Sequence, residues 1–294
     1  MHSLTIEATE NHNDSDEQPL PQPLPGKATP PGDLTQYHLV LFQLGETSLG
    51  RNTVRRIQAR LDQCITTDPA HTAIDIWLES PGGDAHAAYK LILDLKSRCV
   101  RLRAVVPDMA KSAATLLLLG VDEIFMAPAA ELGPLDVQIE HPDRENVIVS
   151  GLDVTNSLSF LVDTAVDLTI TGGGKMIAYT YLPRLEVLRA TLHFMADLLQ
   201  PVVGKLDSNL IYKARKELSV ADLYAMNMLR CRNLPEDDHL PEMEASSLLK
   251  RLVEEYPVHG YIISRDEAEE LGLPISPAEM YPRWDLVKAL HNAS

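Results

Sequence analysis

This sequence predicts an α/β fold built on a mostly parallel sheet, and three observations carry the prediction. Between residues 38 and 126, apolar runs of strand length alternate with segments whose apolar residues recur at helical spacing. One of those helices, Ser112 to Leu119, is apolar almost all round, as a helix buried on every side is. The chain has 294 residues, 45% of them hydrophobic, enough to bury a substantial core.

Element by element, His38 to Leu44 reads as a strand, and Leu49 to Cys64 as a helix with Val54, Ile57 and Leu61 on its apolar stripe. Ala73 to Leu78 is a strand. Ala85 to Ser97 is a helix burying Ala88, Leu91, Ile92 and Leu95. Val100 to Val106 and Glu123 to Met126 are strands flanking the apolar helix. Strand–helix–strand connections within one sheet run right-handed. Further on, Glu186–Gln200, Val203–Glu217, Ser219–Leu229 and Glu244–Glu255 have helical patterns. Ser264-x-x-Glu267 is a capping box, and Gly272 stops the helix it opens. Residues 1–36, acidic and then studded with prolines, are expected as a tail without regular structure. Residues 37–294 are expected as one domain.

Charge and cysteine content narrow the function classes. With 42 acidic against 26 basic residues, the net charge of −16 argues against nucleic acid or an anionic membrane as partner. Cys64, Cys99 and Cys231 have no metal-ligand spacing and no disulfide pattern, which fits the cytoplasm. No apolar stretch nears the ~18–20 residues of a membrane span, and the N-terminus lacks a signal-peptide pattern. Glu236-Asp237-Asp238-His239 sits in a Pro-flanked stretch without ligand spacing and reads as a solvated face, so no metal and no cofactor are expected.

The chemistry lies in two short segments. Ser80-Pro81-Gly82-Gly83-Asp84 closes the strand Ala73–Leu78, and Ser112 follows Gly83 by 29 residues, where the polar stretch from Asp108 enters the apolar helix. Glycines at a strand end let backbone N–H groups approach a ligand closely. A serine at a helix start has unpaired N–H groups beside it. Together these are the parts of an oxyanion hole and a nucleophile.

In this order the segments resemble the Clp protease/crotonase superfamily, on its protease side: the Clp proteolytic subunit, signal peptide peptidase A and above all the serine dehydrogenase proteinase family. The resemblance continues through Ala113-Ala114-Thr115, Asp122-Glu123-Ile124 and Leu132-Gly133-Pro134-Leu135-Asp136-Val137-Gln138. It resumes at His259-Gly260-Tyr261-Ile262-Ile263-Ser264 and at Glu267 to Pro274. The implied fold is a Clp/crotonase-like superhelix of β-β-α units with additional C-terminal helices. The implied activity is that of an ATP-independent serine peptidase acting on a peptide or protein substrate, as a homo-oligomer without a membrane span.

The resemblance makes Ser112 the nucleophile and the N–H groups of Gly83 and Ala113 its oxyanion hole. The base is less direct. Where the Clp subunit has its histidine this chain has Gly133 to Val137, and where Clp has its aspartate it has Gly260. Asp136 stands near the first position and His259 beside the second, so an exchange of places makes His259 the base and Asp136 its orienter. A lysine base, as in signal peptide peptidase A, would be Lys175, read as lying in a glycine-rich loop. Lys111, His86 and His141 are weaker candidates, Lys111 reading as a wall of the substrate groove. The missing Clp partners also support a second expectation, a catalytically silent scaffold or partner-binding subunit. A crotonase-type thioester enzyme is disfavoured, because crotonases need no serine at the helix start.

Overall fold

The computed structural model describes residues 3–9, 34–43, 48–141, 147–179, 181–232 and 241–293. The chain divides into two compact units, Met1–Leu135 with Ala221–Ser294, and Asp136–Val220, where one domain over 37–294 was expected.

The first unit is organised by a six-stranded sheet. Its strands are β1 (Ser3–Thr9), β2 (Thr35–Phe42), β3 (Thr72–Glu79), β4 (Arg101–Val106), β6 (Glu123–Met126) and β11 (Ile275–Pro277), lying in that order. From β2 to β11 all neighbours pair in parallel, with Leu39 opposite Ile76, Ile74 opposite Leu102, and Ala104 opposite Ile124. The connections are helical: α1 (Arg51–Cys64) joins β2 to β3, α2 (Ala85–Ser97) joins β3 to β4, and α3 (Ala113–Leu118) precedes β6. This is the alternating α/β architecture the apolar pattern predicts. All eight residues of β3 are buried, because a parallel strand at mid-sheet is covered on both faces. The stripe Val54, Ile57 and Leu61 of α1 and the stripe Ala88, Leu91, Ile92 and Leu95 of α2 are buried as the spacing requires.

A second, three-stranded sheet is built from short pieces between the main strands: β5 (Met109–Ala110), β7 (Glu131–Leu132) and β10 (Ile263–Ser264). Main strand β4, short strand β5 and helix α3 make one β-β-α unit. C-terminally, α7 (Glu242–Lys250) runs into a π-helical turn at Arg251–Glu255, and α8 (Arg265–Glu270) and α9 (Trp284–Ala293) follow. Ser264 Oγ accepts the Glu267 N–H at 3.2 Å, the cap expected of the Ser-x-x-Glu signature.

One face of the main sheet holds a buried polar network inside the cluster Val40, Phe42, Trp77, Val105, Phe125, Tyr281 and Val287. Asp75 takes two hydrogen bonds from Arg103, both 2.8 Å, and one from the Tyr281 hydroxyl at 2.7 Å. The hydroxyl has a single proton, already given to Asp75, so it accepts from Trp77 Nε1 at 3.0 Å and faces His38 Nδ1 at 3.2 Å as an acceptor. His38 is thereby assigned as the neutral Nδ1–H tautomer. The network pins the segment around Tyr281 across β2, β3 and β4.

The second unit contains the hairpin β8 (Gln138–Glu140) with β9 (Ile148–Ser150), α4 (Gly151–Tyr179), α5 (Arg184–Val203) and the first part of α6 (Ser208–Arg230). Its core gathers Ile139, Leu210 and Ala214 with Val137, Val149 and Val154.

Three sequence expectations change. Within the tail of 1–36, Ser3–Thr9 forms β1, antiparallel to β2 from Ser3 opposite Phe42 to Thr9 opposite Gln36. Leu4, Ile6 and Ala8 alternate with polar residues, a strand period that the proline-rich stretch after it obscures. That stretch, 10–33, lies outside the described residues, as does the acidic run 236–239. The glycine-rich segment around Lys175 is not a loop but part of α4. Each glycine disfavours helix by about 1 kcal/mol, yet Gly173 is buried against Thr191 of α5, where packing overrides propensity. Finally, Val203–Glu217 and Ser219–Leu229 are not two helices: α5 ends at Val203 and α6 runs unbroken from Ser208 to Arg230.

Candidate active site

Two turns meet at the ends of β3 and β5. The Ser80 N–H donates to Met109 O at 2.9 Å and the Lys111 N–H donates to Ser80 O at 3.0 Å. This parallel bridge stitches the chain entering Pro81–Gly83 beside the chain entering Ser112. The Ser80 side chain is locked as well, donating to Gln43 Oε1 at 2.6 Å and accepting the Gly82 N–H at 3.1 Å.

The glycines permit the approach. Gly82 and Gly83 have φ of 105° and 141°, a region that side chains rarely adopt. A Cβ on Gly82 would stand 2.6 Å from Lys111 O and 2.8 Å from Ser112 Cβ. On Gly83 it would stand 2.4 Å from Leu49 O. Leu49 brackets Gly83, its N–H donating to Gly82 O and its carbonyl accepting the Asp84 N–H, both at 2.7 Å.

Ser112 has φ 51° and ψ −118°, the one positive φ outside glycine among the described residues. Such a backbone stores about 1–3 kcal/mol and persists only where its surroundings over-determine it. They do so here. Thr115 Oγ1 donates to Ala110 O at 2.6 Å and accepts the Gly133 N–H at 3.1 Å. The Ala114 N–H donates to Lys111 O at 2.9 Å, and all six residues of α3 are buried. A strained strand–serine–helix turn of this kind presents the hydroxyl away from its own backbone.

Most of the backbone donors around the two turns are spent, those of Leu49, Ser80, Gly82, Asp84, Lys111 and Ala114 among them. Among the described residues the N–H groups of Gly83 and Ala113 donate no hydrogen bond, and Ser112 Oγ makes none. The residue before Gly83 lies against Ala113, since a Cβ on Gly82 would lie 3.1 Å from Ala113 N. Two unspent N–H groups beside a strained serine can stabilise negative charge developing on an oxygen.

The other candidates fall as follows. In the small sheet Ile263 pairs with Leu132, which pairs with Ala110. By that register the residues before Ile263 run toward the end where Lys111 and Ser112 lie. His259 precedes that strand, half-buried in a turn closed by the Tyr261 N–H donating to Val258 O at 3.0 Å. Lys111 pairs with Glu131 at 2.8 Å and packs over Gly133. The His86 ring is 2.9 Å from the Tyr224 hydroxyl, on α2. Asp136 and Lys175 belong to the second unit. Asp136 is buried, accepting the Leu152 N–H at 3.1 Å at the start of α4 and Gln138 Nε2 at 3.5 Å. Lys175 is exposed on α4. Sequence reasoning missed Gln43 and Leu49. Gln43 had only its place at a strand end as a signal, and Leu49 acts through its backbone, which no residue type announces.

A family model described as ClpP-like SDH-type serine proteinase matches residues 57–154, the stretch holding both turns. Two uncharacterized proteins of Methanocaldococcus jannaschii are similar. One is 27% identical over 230 residues, covering 77% of this chain and 62% of that protein. The other is 30% identical over 105 residues, covering 34% and 36%. The chain thus spans less than two thirds of the length of either. Among solved structures, a membrane-bound stomatin-specific protease in mutant form aligns at 12% identity with a TM-score of 0.43, covering 83% of this chain and 78% of that one. An enoyl-CoA hydratase/isomerase family protein from Silicibacter pomeroyi aligns at 21% identity with a TM-score of 0.28, covering 33% and 50%. The chain has a Clp protease/crotonase-like α/β fold with additional C-terminal helices, and partial homology to ClpP-type serine proteinases.

Proposed function

We propose that this protein is an ATP-independent serine peptidase in which Ser112 is the nucleophile. The observation that carries the reading is the strained Ser112 turn lying against Gly82, with the N–H groups of Gly83 and Ala113 unspent beside it. In the proposed reaction Ser112 Oγ bonds to the carbonyl carbon of a peptide, and its proton passes to His259. The oxyanion rests on the Gly83 and Ala113 N–H groups. Collapse breaks the C–N bond, the proton moves from His259 to the leaving amine, and water then resolves the acyl-enzyme. Asp136 would orient His259, and Lys175 is the alternative base.

A second reading, the non-catalytic scaffold, draws on one observation: Ser112 Oγ has no hydrogen-bond partner among the described residues. Catalytic hydrogen bonds are often loose without substrate, so the hydrolase reading is preferred.

A fluorophosphonate probe should label the protein, and Ser112→Ala should abolish labelling. The base is read from the variants. With His259 as base, His259→Ala lowers the rate by about 10²-fold or more. With Lys175 as base, Lys175→Ala carries the loss. Equal labelling of Ser112→Ala overturns the nucleophile, and absence of labelling and of hydrolysis favours the scaffold.

A further inference from the structure

We propose that Glu79, Asp108 and His291 form a binding site for a divalent metal ion of the zinc or manganese class. None of the three has a role in the chemistry above. They come from three separated segments: Glu79 ends β3, Asp108 lies between β4 and β5, and His291 is on α9. One ligand atom from each residue, two carboxylate oxygens and an imidazole nitrogen, lies within 4.8 Å of the others.

The state of Glu79 points to a ligand. Its side chain is 4% exposed, and its Oε2 atom, shut off from solvent, takes part in no hydrogen bond of acceptable geometry among the described residues. Yet that atom lies 2.8 Å from His291 Nε2. Two donors this close but misdirected toward each other are arranged as ligands converging on a third centre. Tetrahedral ligands at about 2.0–2.2 Å from zinc stand roughly 3.3–3.6 Å apart, so this pair needs to open by only about 0.5–0.8 Å to hold an ion. Asp108 is exposed and its carboxylate is without a hydrogen bond or ion pair among the described residues, free to close onto an ion. The His291 ring is held edge-on against Phe42, centroids 5.7 Å apart, which limits its rotation.

The donor set selects the ion class. One imidazole and two carboxylates suit zinc or manganese, whereas an all-oxygen set would suit calcium or magnesium. Two carboxylates beside one imidazole also concentrate negative charge, which a divalent cation neutralises. Water completes the coordination on the exposed Asp108 side.

The position gives the site a purpose. Glu79 immediately precedes Ser80 and Asp108 immediately precedes Met109, and Ser80 and Met109 are bonded to each other where the two turns are stitched. An ion here clamps α9 to the roots of both turns without touching Ser112. It is a structural or regulatory site, independent of whether the protein is a peptidase.

The test uses the full chain freed of metal with a chelator, then titrated calorimetrically with Zn²⁺ and with Mn²⁺ alone. One ion per chain is expected, with a rise in thermal midpoint. Asp108→Asn and His291→Gln should each weaken binding at least about tenfold. Asp108 is exposed, so its variant folds whatever befalls α9. Replacing the thiols, Cys64→Ser with Cys231→Ser, should leave the affinity unchanged. The absence of binding by either metal overturns the proposal. So does binding that both ligand variants leave intact or that the cysteine variant removes.

Discussion

Gly82→Ala is the sharpest probe of how the two turns depend on each other. A methyl group there would sit 2.6 Å from Lys111 O, 2.8 Å from Ser112 Cβ and 3.1 Å from Ala113 N. The first two contacts are with the strained turn itself, so relief requires moving it. Holding alanine at φ 105° adds about 1–3 kcal/mol of strain, and overpacking a tight contact adds about 1–3 kcal/mol more. Chemical denaturation should therefore show a loss of about 2–6 kcal/mol. With the Ala113 N–H as the proposed oxyanion donor, moving it should lower reaction with a fluorophosphonate by about 10²–10³-fold. Gly50→Ala is the control, with nothing within 4 Å of its would-be Cβ and an ordinary φ. Labelling and stability of Gly82→Ala both equal to those of the control would refute the contact between the turns.

Ser112→Gly should abolish labelling while stabilising the fold by ~1 kcal/mol, since glycine accepts a φ of 51° without strain; a marked loss in denaturant melts would contradict this. Burial, with smaller contributions from Arg283 and Arg103, holds the His38 pKa down at about 4 against the attraction of Asp75. The unfolded chain then binds more protons between about pH 4 and 6.5, so stability falls as pH drops through that window, by about 3 kcal/mol in full. His38→Gln should flatten that slope, and an unchanged slope would assign it to other groups. The second unit exposes Phe160 and Phe194 at 68% and 63%, with Leu185, Leu192 and Leu198 also uncovered. Self-association is expected, and light scattering should find Phe160→Glu with Phe194→Glu shifted toward monomer. An unshifted mass would place the interface elsewhere.

The sequence by itself determined the parallel core and the two turns. The stripes on α1 and α2 and the apolar strands β3 and β4 follow from periodicity, because burial is what selects residue type there. The turns at Gly82-Gly83 and Ser112 were legible because glycines at a strand end and a serine at a helix start are signals of residue type within a short stretch. Tertiary structure decided whatever depends on partners distant in the chain. The helix through Gly172–Gly174 forms because Gly173 packs on Thr191, and β1 forms because β2 offers an edge. The buried network joins His38 and Asp75 to Tyr281, 243 and 206 residues away, and its tautomer and lowered pKa exist only once those groups share a low-dielectric core. The φ of Ser112 and the unspent N–H groups of Gly83 and Ala113 likewise arise from where other bonds go. Glu79, Asp108 and His291 have no common motif to read, and only folding brings their ligand atoms within 4.8 Å.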